Sequence, residues 1–425
     1  MTADTDVTWP FAVSQPRMSG AIRQAMGAAW RAYVEGVDAF IARHHRSVPR
    51  MAAALRLPEY LIPVWQVAPE QPWALVARPD VVISRGAPKI VDVNTGSTAG
   101  LFALNDLLLR TRRKTPLRPH LPAAGTPRFV MGRYADVLRG HMTSDEDLIA
   151  IACYAWEGEF PEHPDASPPW YYAALTDELA RHGLAARLVH VEDFTEEVGG
   201  LYARGKKVGL VLRMFLPDFE RPNEIAEYFR VVAAAQRQGV TIFTSVWGEF
   251  LGTKATLAAL SDERFTDEMP PGLAGRLRQT VPWTRVVEAR HTLWRDRRVD
   301  LPEWTVENQE QLVLKPALGG RGKGVLIGRE TEPGAWAATV QEALAGGAAP
   351  WLVQDLLPPD HEQIAYLDAE DALTVVDGPS VYGAFVLDGE FVGAMRRHSP
   401  HGAEKLMINR SSGAVHSPVY WSDPA

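Results

Sequence analysis

The chain has 425 residues, 46% apolar and 23% charged, with a formal net charge of −8. That is ordinary for a globular protein of two or three domains, and the acidic balance argues against a nucleic-acid or anionic-membrane partner. Cys153 is the sole cysteine, which excludes an intramolecular disulfide and a cysteine-based zinc centre. No signal-peptide pattern opens the sequence and no run approaches ~20 apolar residues, so a soluble cytoplasmic protein is expected.

Residues 18–46 carry Ile22, Met26, Trp30, Tyr33, Val37, Phe40 and Ile41 at helical spacing, which predicts a long amphipathic helix closed by Pro49. A strand–turn–strand unit follows, with strands over 73–83 and 89–97 and a turn at 85–88. Period-two alternation puts Arg78 and Asp80 on one face of the first strand, and Asp92 and Asn94 on one face of the second. Turned the same way, two carboxylates and an amide oxygen converge beside a guanidinium. Such hard oxygen donors suit Mg²⁺ bound together with phosphate oxygens. The plainer alternative is a surface Arg78–Asp80 pair with Asn94 in a turn.

The proline-rich stretch 116–127 reads as a linker. Beyond it, strands over 148–155, 186–191, 208–215 and 240–246 alternate with helices over 171–181 and 223–238. This pattern predicts a parallel sheet with covering helices and ligands at the carboxyl ends of its strands. Arg213, near such an end, is a candidate grip for a substrate carboxylate or else a structural arginine. Lys254 opens a helix, where its charge opposes the macrodipole and a nearby anion would account for it. An extended segment is expected over 304–314.

Residues 312–327 place two apolar runs around Gly319, Gly320, Arg321, Gly322, Lys323 and Gly324, with Lys315 just before the loop. A Walker A loop needs Gly-Lys-Ser/Thr opening a helix, and a Rossmann fingerprint needs a third glycine and a helix; neither pattern is present. The loop is then either an exposed hairpin tip or a hinged, positively charged cover over phosphates. A helix over 336–344 and a strand over 351–357 come next, and Glu362 begins an extended segment. A hairpin over 380–397 turns at Asp388-Gly389. Within it Arg396 and Arg397 are adjacent, so only one of them faces a site on that sheet.

With these residues in place, residues 70–425 resemble an ATP-grasp ligase of the circularly permuted kind, similar to glutathionylspermidine synthetases and eukaryotic-type glutathione synthetases. Arg78-Pro79-Asp80 and Asp92-Val93-Asn94-Thr95 resemble the family's Arg-x-Asp and Glu-x-Asn-Thr strands, which come first here rather than last. The resemblance implies an α/β (α+β) ATP-grasp fold in four parts. These are an N-terminal helical region (1–69), a permuted magnesium-binding part (70–126), a pre-grasp parallel-sheet substrate domain (127–253) and an ATP-binding domain with a glycine-rich lid (254–425). It further implies ATP and two Mg²⁺ ions as cofactors, the metal held by Asp80, Asp92 and Asn94. Lys254, Lys315 and the Gly319–Gly324 loop then contact phosphates, Gln354, Asp355 and Leu357 the adenine, and Glu362 the ribose. Arg78 steadies the transferring phosphoryl group, and Arg213 and Arg396 bind substrate. Asp92 and Gln354 stand where glutamates are usual. The implied activity is amide formation between a small carboxylate and an amine through an acylphosphate. A small-molecule kinase and a non-catalytic nucleotide-binding partner subunit are the alternatives.

Overall fold

The computed structural model describes residues 12–422 apart from 15, 68–72, 96–99, 113–124, 154–169, 215–221, 320, 321, 323, 348, 368–371, 403–405 and 409–412. A short strand, β1 (Arg17–Met18), leads into α1 (Gly20–Arg43). Ser19 caps this helix, its Oγ accepting from Ile22 N at 3.3 Å, and so satisfies one of the amides that a first turn leaves bare. The expected stripe is buried from Met26 to Ile41. Two shorter helices, α2 (Val48–Ala54) and α3 (Ile62–Val67), complete the N-terminal region.

Strands β2 (Val76–Ser84) and β3 (Ala87–Asn94) form the expected antiparallel hairpin. Its turn residues Arg85 and Gly86 have φ of 53° and 74°, the left-handed pair that a two-residue hairpin turn requires. Asp360 locks the turn by accepting from Arg85 N at 2.7 Å and Gly86 N at 2.8 Å. Next come α4 (Gly100–Arg112) and α5 (Met131–Arg139). Buried Asp106 on α4 accepts from Val130 N at 2.9 Å and Met131 N at 3.0 Å, capping α5 from a neighbouring element. Most of the expected linker lies outside the described residues.

A third unit comprises β4 (Leu148–Cys153), α6 (Trp170–Arg181), β5 (Ala186–His190), β6 (Phe194–Glu197), β7 (Gly200–Ala203), β8 (Lys206–Arg213), α7 (Pro222–Arg237) and β9 (Thr241–Phe243). Strands β5, β4, β8 and β9 pair in parallel, as the alternation of strands and helices predicts. The β6–β7 hairpin joins β8 antiparallel and was not anticipated. The extended segment foreseen over 240–246 ends at Phe243. There Ser245 caps α8 (Val246–Leu251), accepting from Trp247 N at 3.1 Å.

Helices α9 (Lys254–Ser261), α10 (Glu263–Thr266) and α11 (Pro271–Thr280) lead to a second sheet. Its region contains β10 (Thr284–Val286), a side hairpin of β11 (His291–Trp294) and β12 (Arg297–Asp300), α12 (Leu301–Glu307), β13 (Leu312–Pro316), β14 (Leu326–Ile327), α13 (Pro333–Ala345) and β15 (Trp351–Asp355). The sheet order is β10-β15-β13-β14, antiparallel throughout. Helix α12 corrects the extended segment expected from residue 304. Asp300 Oδ1 accepts from Glu303 N at 3.1 Å and a proline fills the first turn, two helix-starting signals that outweigh the β-prone Trp304 and Val306. The glycine loop does span a hairpin, with Val313 opposite Ile327 and Leu314 opposite Leu326.

The last strands are β16 (His361–Leu367), β17 (Leu373–Leu387), β18 (Glu390–His398), β19 (Val415–Pro418) and β20 (Tyr420–Trp421). All but β20, which pairs in parallel with β1, return to β2 and β3 in one sheet ordered β19-β18-β17-β2-β3, with β16 on β17, so early and late parts of the chain share a ladder. Asp388 and Gly389 make the expected turn, at φ of 53° and 74°. One face of this sheet packs Val81, Ile83, Tyr382 and Ala384 against Trp30, Tyr33 and Phe40 of α1. The other packs Val76, Phe385 and Met395 against Phe102 and Tyr134 of α4 and α5. No helix among the described residues is long and apolar enough to cross a membrane.

Candidate active site

The sheet face that packs on α4 and α5 also carries the acids singled out from the sequence. Arg78 stands opposite Asn94, and Asp80 opposite Asp92. Beyond this row the register shifts, so that Val81 pairs with Ile90 and Val91 becomes the extra residue of a bulge. Bulges re-aim side chains and free a carbonyl from the ladder. Asn94 Nδ2 donates to Arg78 O at 3.2 Å, which leaves its amide oxygen for another partner.

Arg397 on β18 reaches Asp80, its Nη2 lying 2.7 Å from Asp80 Oδ2 while Arg78 Nη1 lies 4.0 Å from Asp80 Oδ1. Between them is Gly383 on β17, where a Cβ would meet Arg78 Cδ at 3.3 Å. The missing side chain gives Arg78 its place. Burial alone would raise the Asp80 carboxyl, but Arg397 and Arg78 outweigh it and hold the group below the usual carboxylate range. Even so, Asp80 Oδ1 is buried with no hydrogen-bond partner among the described residues. An orphaned carboxylate oxygen of this kind fits a cation ligand.

The second sheet brings its lysines to this row. Lys315, at the end of β13, is buried; its Nζ donates to the bulge carbonyl Val91 O at 2.7 Å and to Gln354 Oε1 at 2.9 Å. Gln354 in turn donates to Thr284 Oγ1 at 2.8 Å. Burial pushes the Lys315 ammonium down to about 8; Lys254 adds to the depression, and Asp92 and Asp80 oppose it. Lys254 opens α9 with Nζ 3.5 Å from Asp92 Oδ2 and 2.9 Å from Gly319 O, joining the acid row to the glycine loop. Gly319, Gly322 and Gly324 each adopt a left-handed φ, of 100°, 75° and 73°, that other side chains resist. Gly320, Arg321 and Lys323 lie outside the described residues.

Among the described residues no three His, Cys, Asp or Glu side chains gather into a self-sufficient metal site. Asp80, Asp92 and Asn94 supply two carboxylates and an amide oxygen. That set suits a hard cation whose shell is completed by water and phosphate oxygens, and the orphaned Asp80 Oδ1 agrees with it.

Other expected positions fall elsewhere. Arg396 is on the opposite face of β18, where it pairs with the Glu362 carboxylate; Tyr382 Oη donates to that carboxylate at 2.5 Å. Strand alternation therefore puts Arg397, and not Arg396, on the face of the acid row. Asp355 turns its carboxylate away from Lys315, accepting from Trp294 Nε1 at 3.0 Å, which leaves only its backbone near Gln354. Leu357 is half-buried just past the end of β15. Arg213 has no exposed side-chain surface; it donates to Thr244 O at 2.9 Å and Glu249 Oε1 at 3.1 Å. These contacts hold Glu249 and the residue that follows β9. Gly383, Thr284 and Glu249 carry no local sequence signal, since each matters through a partner on a distant strand or helix.

Thr95, one residue beyond Asn94, ties the row to the parallel-sheet unit. Its buried hydroxyl donates to Gly248 O on α8. A Cβ at Gly248 would meet Thr95 O at 2.8 Å, and one at Gly252 would collide with the Thr95 hydroxyl.

No protein-family model matches the chain, and no characterised protein matches it in sequence. A putative gamma-glutamylcysteine synthetase from Methylobacillus flagellatus KT aligns over 91% of this chain and 88% of its own, at 12% identity and a TM-score of 0.44, too loosely to support a conclusion. A glutathione synthetase-like effector from Globodera pallida, solved in apo form, aligns over 97% of this chain and 90% of its own, at 12% identity and a TM-score of 0.57. That likeness concerns architecture alone, and it shows that this chain has the fold of a glutathione synthetase-like protein.

Proposed function

We propose that the chain is an ATP-dependent carboxylate–amine ligase of the permuted ATP-grasp kind, acting on small carboxylate and amine substrates. The observation that carries this reading is the convergence of Arg78, Asp80, Asp92 and Asn94 on one strand pair with Lys315, Lys254 and the glycine loop of a second sheet. The interleaving of β2 and β3 with strands from the end of the chain supports the permuted order. Asp80, Asp92 and Asn94 are the residues to hold two Mg²⁺ ions. Bound magnesium would neutralise phosphate charge and align the γ-phosphoryl group.

The chain's own residues do the rest by position and charge. Lys315 and Lys254 meet phosphate oxygens, and the Gly319–Gly324 loop covers them and excludes the water that would hydrolyse an acylphosphate. Gln354 orients Lys315 and, with Leu357, borders the place for the base. A substrate carboxylate attacks the γ-phosphorus, ADP leaves, and an amine displaces phosphate from the resulting acylphosphate to give the amide. Arg78 and Arg397 flank the point where negative charge grows.

The test is ADP release with hydroxylamine as trap, over acids supplied with and without amines. A hydroxamate together with a mass-verified amide is the expected result. A stable phosphorylated product would mark a kinase instead, and ATP binding with no turnover across the panel would mark a non-catalytic subunit.

A further inference from the structure

Four buried polar groups on α1 and at the start of α9 have no hydrogen-bond partner among the described residues. They are the Trp30 indole N–H and the hydroxyls of Tyr33, Thr253 and Thr256. Their residues are 2%, 0%, 8% and 0% exposed. The packing of the helices sets them at one level. Arg43 Nη1 donates to Arg264 O at 3.3 Å, the Phe40 and Phe265 rings lie 5.5 Å apart, and a Cβ at Gly36 would meet Leu260 at 3.2 Å. Moving back along α1, the partners move back from α10 into α9, so the two segments run side by side in one direction. Continued by helical turns, this puts Tyr33 level with Thr256 and Trp30 level with Thr253. Trp73 locates the same corner independently. Its ring lies 6.1 Å from Trp30 and 6.2 Å from Tyr33, and a Cβ at Gly248 would meet its carbonyl at 3.4 Å. Helix α8 then closes at Gly252, where a Cβ would meet Val93 O at 3.4 Å, and Thr253 follows. The four groups thus gather against β3, the strand that carries Asp92.

Thr253 adds a second sign. It is the N-cap of α9, yet its hydroxyl accepts nothing from that helix, although a capping threonine ordinarily takes an amide of the first turn. None of the four groups pairs with another, and the indole can only donate while the hydroxyls do either. Whatever joins them must therefore both donate and accept. The indole N–H and the Lys254 ammonium, one residue past Thr253, disfavour a cation. Asp92 disfavours an anion, since its charge adds to burial in raising the Tyr33 hydroxyl. Water meets every requirement, and buried waters settle among otherwise unsatisfied polar groups of this kind.

We infer that Trp30, Tyr33, Thr253 and Thr256 hold bound water through which α1 positions the first turn of α9, and with it Lys254. Tyr33 is then a positioning residue. It touches no reacting atom and acts through the water on a lysine that lies 3.5 Å from Asp92 Oδ2 and 2.9 Å from Gly319 O. This rests on the proposed function, which gives Lys254 a phosphate contact, and it brings the N-terminal helices into that function.

The experiment is a double-mutant cycle on the full chain, read by titration calorimetry of ATP in the presence of Mg²⁺. Tyr33→Phe and Thr256→Val each remove one hydroxyl and keep the shape, while Thr256→Ser keeps the hydroxyl. Each of the first two is expected to weaken ATP binding about ten-fold, and the pair together no more than about ten-fold. Thr256→Ser should stay within about two-fold of wild type. Additive losses in the double variant, or wild-type affinity in both single variants, overturn the inference. So does a fall in denaturant midpoint with ATP affinity unchanged, which marks a hydroxyl that only supports the fold. If Tyr33→Phe does not fold, Thr256→Val against Thr256→Ser decides by the same criterion. If wild type binds no ATP, the ligase reading fails by itself. A crystal structure then decides the site: ordered water bonded to Tyr33 Oη and Thr256 Oγ1 supports it, and a dry gap overturns it.

Discussion

Two adjacent arginines on β18 divide the molecule into a closed side and an open side. Arg396 meets a carboxylate that is already complete, since Glu362 accepts from Arg396 on one oxygen and from Tyr382 on the other. Arg397 meets Asp80, whose other oxygen is buried with no donor among the described residues. Residue type and strand are identical in the two cases, and only the parity of one position differs. A carboxylate satisfied on both oxygens holds a fold together, whereas one left half-satisfied keeps an oxygen for the cation of the proposed function.

Substitutions can break that contrast, and the largest effect belongs to the acid row. Asp80→Asn keeps the shape and removes the charge; substrate-dependent ADP release should fall about 10³-fold while the folded structure persists by circular dichroism. Asp92→Ala should abolish release in the same assay, and near-normal turnover in that variant would sink the metal assignment. The neighbouring arginines offer a matched pair. Arg397→Met should lower kcat/KM about a hundred-fold with little change in denaturant midpoint. Arg396→Met should leave the kinetics of the folded protein intact but cost about 2–3 kcal/mol of stability, because Glu362 loses its counter-charge. Should the two variants behave alike, the division into two sides is wrong.

Gly383→Ala sharpens the comparison more gently. Its methyl group moves the Arg78 guanidinium by a few tenths of an ångström, and a loss of about ten-fold in kcat is expected with the fold retained. The smallest effect is a pH dependence. Lys315 is depressed chiefly by burial to about 8, and phosphate binding needs its charged form. In the free protein kcat/KM for ATP should therefore fall as pH rises through about 8, and Lys315→Arg should remove that limb. The folded chain binds fewer protons at this site than the unfolded chain between about 8 and the ordinary 10.5. The same lysine therefore makes folding stability rise with pH across that window, opposite in sign to its effect on activity.

The acid row was legible in the sequence because alternation along a strand is a local rule, and a turn of two left-handed residues then fixes which positions meet. Lys315 and Lys254 were legible for a similar reason: each stands at the end of an element whose flanking glycines mark it. The choice between Arg396 and Arg397 was not, because it depends on pairing with β17, and β17 shifts register between Phe385 and Val386. Glu362 is a ribose contact only by what the resemblance implies, and its pairing with Arg396 and Tyr382 is set by the register of β16, β17 and β18, which no local pattern shows. Helix α12 was hidden by Trp304 and Val306 despite the Asp300 cap, and the β6–β7 hairpin by its charged, low-contrast sequence.

The close seat of α8 on Thr95 has a consequence for how this sequence is able to drift. Gly248 and Gly252 lie one helical turn apart and face the same threonine, and neither position has room for a methyl group. Neither residue touches a reacting group, yet a larger side chain at either one would lift α8 off β3. In a random library selected for activity, these two silent positions should tolerate fewer replacements than the exposed surface. A glycine pair spaced by four behind an Asn-Thr strand end is therefore a mark by which distant relatives can be sought.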